Sequence, residues 1–101
     1  MPYISEIERK ELDDAIEVLT KAIQNSREAD AFDFSSYLGK INYCFSRVIA
    51  GLMGRLSYKN IAMITGVLEN IKQEFYRRAA SPYEDNKILA NGDIPEYRKL
   101  K

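Results

Sequence analysis

The stretch that decides the fold runs from Ser57 to Asp93 and reads SYKNIAMITGVLENIKQEFYRRAASPYEDNKILANGD. Its apolar residues recur as Ile61, Ile64, Leu68, Ile71 and Phe75. Steps of three and four place them on one stripe of an α-helix. Ser57 suits the N-cap, since its hydroxyl can accept a free backbone N–H of the first turn. Gly66, beside Ala62, makes a smooth patch where a neighbouring helix can approach. Arg77 and Arg78 then complement the carbonyls of a last turn, and the helix is expected to stop near Ala79–Ala80. Ser81-Pro82-Tyr83-Glu84 has the residues of a fresh start: a capping serine, a first-position proline and a glutamate three residues after the cap. A second, short helix is expected from Pro82 to about Ala90, closed by Asn91-Gly92.

Upstream, Ser5-Glu6-Ile7-Glu8 is a capping box, and the helix it opens carries Leu12, Ile16, Leu19 and Ile23 on one face. That helix is expected to end near Gln24-Asn25-Ser26, with a polar connection from Ser26 to Ala31. Asp30 or Asp33 can cap the next helix, whose stripe is Phe34, Leu38, Ile41, Phe45, Val48, Ile49 and Leu52. Tyr37, Cys44 and Met53 widen this stripe beyond what one neighbour covers, and Gly39 adds a second smooth point. Gly54-Arg55-Leu56 turns the chain toward Ser57. No strand-like alternation of useful length appears. The expected fold is all-α: three main antiparallel helices plus a short C-terminal one, in a small bundle that self-associates. Residues 1–101 read as a single domain, with 1–4 a lead-in that docks on the body and 94–101 a partly ordered tail. Ile94 to Tyr97 is expected to be extended by the proline rule.

The composition excludes several functions. Fifteen basic residues balance fifteen acidic ones across 101 residues, which argues against general nucleic-acid binding. There is no histidine and a single cysteine. Serine–histidine–aspartate catalysis, cysteine metal clusters and internal disulfides are therefore unavailable to this chain. Cys44 sits within an apolar helix and reads as a small hydrophobe. No signal peptide and no apolar run of the ~20 residues needed to span a membrane is present, so a soluble cytoplasmic protein is expected. No cofactor is indicated.

Three groups of residues can carry chemistry. Glu8, Glu11 and Asp14 lie three apart on one helix face, where carboxylates can hold Mg²⁺. All-helical nucleotide pyrophosphohydrolases pair a Glu-x-x-Glu with a later Glu-x-x-Asp, and the second half is missing here. Arg9 and Lys10 also interleave the acids, as on any solvated face. Asn42, Tyr43, Ser46 and Arg47 form a polar island in an apolar helix. Arg47 either pairs with Glu69 or Glu74 across the bundle or serves as a fork for phosphate or carboxylate. Finally, Glu69, Glu74, Tyr76, Arg77 and Arg78, then Tyr83, Glu84, Asp85 and Lys87, crowd around the expected helix break. They form either a salt-bridged, solvated elbow or, with the free N–H groups of a restarted helix, a site for an anion with a ring to stack.

Several motifs in fixed order resemble a small prokaryotic and phage family without assigned function. They are Met1-Pro2-Tyr3-Ile4, Leu12-Asp13, Gly39-Lys40-Ile41-Asn42-Tyr43 with Arg47, and Gly66-Val67-Leu68-Glu69. Glu74-Phe75-Tyr76-Arg77-Arg78, Pro82-Tyr83-Glu84-Asp85, Lys87-Ile88 and Asn91-Gly92-Asp93 come after them. The stretch Ala29 to Leu38 is longer and more apolar than the short glycine-led link of that family. The resemblance implies a phage or mobile-element accessory protein acting in the host cytoplasm, and it transfers no activity. The leading expectation is a non-enzymatic, oligomeric binding or interaction protein. Its candidate site joins Asn42, Tyr43 and Arg47 to Glu69, Glu74, Arg77, Arg78, Tyr83 and Glu84, with a nucleotide or another small anion as ligand. The alternatives are a Mg²⁺-dependent nucleotide hydrolase using Glu8, Glu11 and Asp14, and a purely structural partner-binding protein.

Overall fold

The computed structural model describes residues 3–100, and Met1, Pro2 and the docking expected of them lie outside that range. Every regular element among the described residues is helical: α1 (Glu6–Gln24), α2 (Leu38–Met53), α3 (Tyr58–Phe75), α4 (Ser81–Asn91) and the single turn α5 (Pro95–Arg98). The chain divides into two compact units, one ending at Gly54 and the other beginning at Arg55.

The first unit is an open helical hairpin, in which the C-terminal half of α1 and the first half of α2 line shared cavities. Ser5 caps α1 as its sequence dictates, accepting the Glu8 N–H at 3.3 Å and donating its hydroxyl to the Glu8 carboxylate at 3.0 Å. The connection from Asn25 is held by side chains. Asp30 accepts the Phe32 N–H at 2.9 Å, its own N–H donates to Ser36 Oγ at 2.9 Å, and Lys40 Nζ donates to the Arg27 carbonyl at 2.6 Å. Glu28 takes a left-handed backbone, φ 65°. Asp33 does act as a cap, accepting the Ser35 N–H at 3.1 Å, but the helix it opens is a 3₁₀ turn, Phe34–Tyr37, which leads directly into α2. The second main helix therefore starts tighter and later than its apolar pattern suggests.

The second unit is dominated by one nearly continuous helical run. Ser57 caps α3 by accepting the Asn60 N–H at 3.1 Å, while Asn60 Nδ2 ties the preceding link through the Arg55 carbonyl at 2.8 Å. The expected stop at Ala79–Ala80 does not occur. A wide π turn, Tyr76–Ala80, joins α3 to α4, and Ser81 has helical dihedrals (φ −63°, ψ −48°) with its N–H bonded to the Tyr76 carbonyl, five residues back. Pro82 is the cause. It lacks an N–H, and in a regular helix its ring would strike the carbonyl of Arg78. Inserting one extra residue into the turn removes both conflicts without ending the helix. Ser81 consequently does not act as an N-cap, and no capping box forms. The far end behaves as expected: Asn91 is the last helical residue, and Gly92 stops α4 at φ 87° with its N–H on the Ile88 carbonyl at 2.7 Å. Ile94 is extended, but Pro95 opens the turn α5 rather than prolonging an extended tail, as a first-position proline can.

The expected helical stripes are all present, yet no described residue is fully buried. Phe75, the last member of the α3 stripe, is 69% exposed and Leu52 of α2 is 81% exposed. A Cβ placed on Gly39 or Gly66 would meet nothing within 4 Å. The smooth points expected to receive a neighbouring helix are thus open. The chain exposes 9393 Å² at a mass of 11.6 kDa. Two compact globules of half this mass would together expose about 7,000 Å² by the scaling of folded monomers, an excess of roughly 2,300 Å² here. The apolar stripes are made by the sequence, and neither unit buries its own.

Candidate functional site

The polar island on α2 is organised by its own helix. Arg47 and Tyr43 lie one turn apart, so the guanidinium reaches the phenol: Nη1 donates to the Tyr43 hydroxyl at 3.4 Å and the guanidinium carbon lies 5.8 Å from the ring centroid. Asn42 is exposed, and its Oδ1 accepts the Ser46 hydroxyl at 3.3 Å. Such i,i+4 contacts on a solvated face satisfy each group locally. Cys44, on the same helix, is half-buried and lines two cavities between α1 and α2, in keeping with its reading as a small hydrophobe.

In the second unit the residues around Pro82 are brought together in two small groups. Glu74 is half-buried and receives Arg77 Nη2 on both carboxylate oxygens, at 3.1 and 3.3 Å, with Arg78 Nη1 at 3.9 Å. Across the wide turn, the Tyr76 hydroxyl donates to Glu84 Oε1 at 2.9 Å. Around a regular helix two residues eight apart sit about 80° from each other; the extra residue of the π turn brings them into line. The hydrogen bond to the Glu84 carboxylate, then the negative charge of Glu84, and last a slight desolvation raise the Tyr76 phenol above its ordinary value of 10.0.

The other expected site residues stand apart from these groups. Glu69 lies 4.0 Å from Lys72 Nζ and accepts the Gln73 amide at 3.3 Å, one helical turn along. The ring of Tyr83 carries Lys87 Nζ at 5.5 Å from its centroid. Exposed pairs of this kind contribute at most about 1 kcal/mol each and weaken with salt. The anion-binding argument loses one of its parts. Because α3 runs into α4, Ser81 offers no free helix N-terminus: its N–H already serves the Tyr76 carbonyl. Among the described residues, no three Asp, Glu, Cys or His side chains converge where a metal ion could sit. Glu8 is engaged instead with Ser5 at the head of α1.

Of two further pairings, the sequence signals one only indirectly and the other directly. Tyr76 as the partner of Glu84 depends on the wide turn, and the only signal for that turn is Pro82 set between two helix-forming segments. Lys72 and Gln73 as the partners of Glu69 are legible from their spacing.

The geometry defines a class: a small all-helical protein whose polar groups pair mostly with near neighbours in the chain and whose apolar stripes are largely exposed. Residues 1–94 match the family described as a domain of unknown function, DUF6899. The chain belongs to that family, in agreement with the uncharacterised family its motifs resemble. Comparisons with curated proteins and with solved structures return no match. No helix among the described residues is long and apolar enough to cross a membrane.

Proposed function

We propose that this protein is a non-enzymatic interaction protein that works as an assembly of its own chains, with its hydrophobic core completed on assembly. The observation that carries the reading is the absence of any fully buried residue among those described, despite apolar stripes on α1, α2 and α3. An excess of roughly 2,300 Å² per chain, polar and apolar surface together, is more than two compact folded units of this mass would leave to water. Fifteen charges of each sign cancel, so two copies meet without net repulsion. The polar clusters support a non-enzymatic role, since their groups are paired with helical neighbours rather than aimed together at a common point. An accessory role for a phage or mobile element is the setting that the family resemblance implies.

Sedimentation velocity of the purified chain tests the reading. A discrete species heavier than one chain across the micromolar range is expected. A stable species with the mass of one chain, well folded and without tendency to associate, would overturn it.

A further inference from the structure

The apolar surface of the first unit is arranged, not scattered. Leu19 and Ile23 of α1 and Ile41, Cys44, Ile49 and Met53 of α2 are the half-buried apolar positions of its two helices. To one side opens a trough of about 300 Å³, lined by Ile16, Ile23, Phe34, Tyr37, Ile41 and Phe45. Phe34 meets Tyr37 edge-on, with centroids 5.8 Å apart and planes at 80°, so the 3₁₀ turn forms a fixed aromatic wall at one end. Leu38, Phe45 and Leu52, on the same side of α2, are more than half exposed.

The spacing on both helices is that of a helical bundle. On α2, Leu38, Ile41, Phe45, Val48 and Leu52 follow steps of 3, 4, 3 and 4; on α1, Leu12, Ile16, Leu19 and Ile23 follow 4, 3 and 4. Seams of this period pack at about 20° with knobs in holes. A hairpin of two such helices supplies half of a four-helix bundle. The charges indicate what completes it. Helix α1 carries six acids (Glu6, Glu8, Glu11, Asp13, Asp14, Glu17) against three bases, while α2 carries Lys40 and Arg47 and no acid. A second hairpin that sets its α2 beside this α1 places opposite charges at both new seams. Pairing like helices would place acid on acid.

We propose that the trough receives the same hairpin of a second copy, forming a two-fold four-helix bundle in which α1 of each chain lies beside α2 of the other. This rests on the reading of the protein as a self-assembly, and names the surface and partner. It makes the α1–α2 hairpin the assembly module and leaves the helix from Tyr58 to Asn91 available for other contacts.

A charge-swap mixing experiment on the full chain tests it. One variant reverses acids of α1 (Glu11→Lys with Glu17→Lys); the other reverses the bases of α2 (Lys40→Glu with Arg47→Glu). A third, Leu68→Glu, disrupts the α3 stripe in the second unit. Sedimentation velocity reads the mass of each alone and of the two charge variants mixed. Each charge variant alone is expected to self-associate at least about tenfold more weakly than the unaltered protein, by like-charge contact at the seam. Their equimolar mixture is expected to regain the unaltered mass as a heterodimer, which also shows that both variants fold. Leu68→Glu is expected to keep the unaltered mass. Charge variants that assemble as well alone as mixed, or a mixture that stays dissociated, overturn the inference. Loss of assembly in Leu68→Glu with retention in both charge variants moves the interface to the second unit: the inference fails and self-assembly stands. An unaltered chain that is monomeric in the same runs refutes both.

Discussion

Replacing Pro82 by alanine isolates the cause of the wide turn between α3 and α4. The alanine N–H can bond the Arg78 carbonyl and no ring obstructs it, so a regular turn becomes available. A proline inside a helix costs about 3 kcal/mol relative to alanine. The π turn already absorbs part of that cost, so the expected gain is roughly 1–2 kcal/mol, which at about 4–8 °C per kcal/mol for a chain of this size is about 4–16 °C in Tm. Regularising the turn also rotates α4 by about 100° against α3 and leaves Tyr76 and Glu84 about 80° apart. Their 2.9 Å hydrogen bond, an exposed one, is then lost. The direct readout is the Tyr76 phenol, followed by NMR titration of labelled tyrosines and assigned with Tyr76→Phe. In the unaltered protein it is expected to titrate above 10.0, because Glu84 accepts the phenol's hydrogen bond and its negative charge disfavours the phenolate. A phenol raised on folding contributes stability that is complete below its unfolded value and is lost as pH rises through its folded value. The junction should therefore loosen only in the alkaline range above 10.0. In Pro82→Ala the titration is expected to return to the ordinary value, with the newly introduced backbone amide protected from hydrogen exchange. Glu84→Gln, which leaves the turn intact, should lower the phenol in the same way without that protection. A Tyr76 that still titrates high in Pro82→Ala, while the introduced amide exchanges freely, would refute proline as the origin of the turn.

Two further substitutions address the caps. Ser57→Ala removes the acceptor of the Asn60 N–H at the head of α3 and is expected to cost about 1 kcal/mol, read as a drop in Tm and faster amide exchange at Asn60. Gly92→Ala meets no steric obstacle, since a Cβ there has open space around it. Its backbone at φ 87° and ψ 167° belongs to a region almost reserved for glycine, so a loss of about 1–3 kcal/mol is expected in chemical denaturation. A neutral result would place the backbone there in a different region.

What the sequence makes legible depends on how local each cause is. Ser5, Ser57 and Gly92 act within one turn, through a side-chain oxygen or a permitted dihedral, and the structure places them as expected. Pro82 misleads because its two local meanings, first position of a new helix and obstacle within an old one, differ only in what the preceding turn does. The period of the apolar residues sets out a stripe on each of α1, α2 and α3, but periodicity carries no information about what covers a face, and most members of those stripes are exposed. The open surroundings of Gly39 and Gly66 are the clearest instance. Of the site residues, the partners of Glu74 and Glu69 are readable as neighbours three or four positions away, whereas the sequence offers Arg47 a pairing with Glu69 or Glu74 and its contact is with Tyr43, one turn back on its own helix. The Tyr76–Glu84 bond is not readable in this way, since eight residues align only when an extra one enters the turn.

The central claim is that the fold is completed by association. Isolated helices no longer than about 12–15 residues are marginal in water, and longer ones remain length- and temperature-dependent without an apolar face to bury. The measurement that bears on this most directly is far-UV circular dichroism of the unaltered chain over several decades of dilution, with thermal melts at each concentration. The account predicts that helicity and melting midpoint both fall on dilution, as mass action requires of a core built from more than one chain. Helicity and midpoint that do not change with concentration, in a species of single-chain mass, would contradict it.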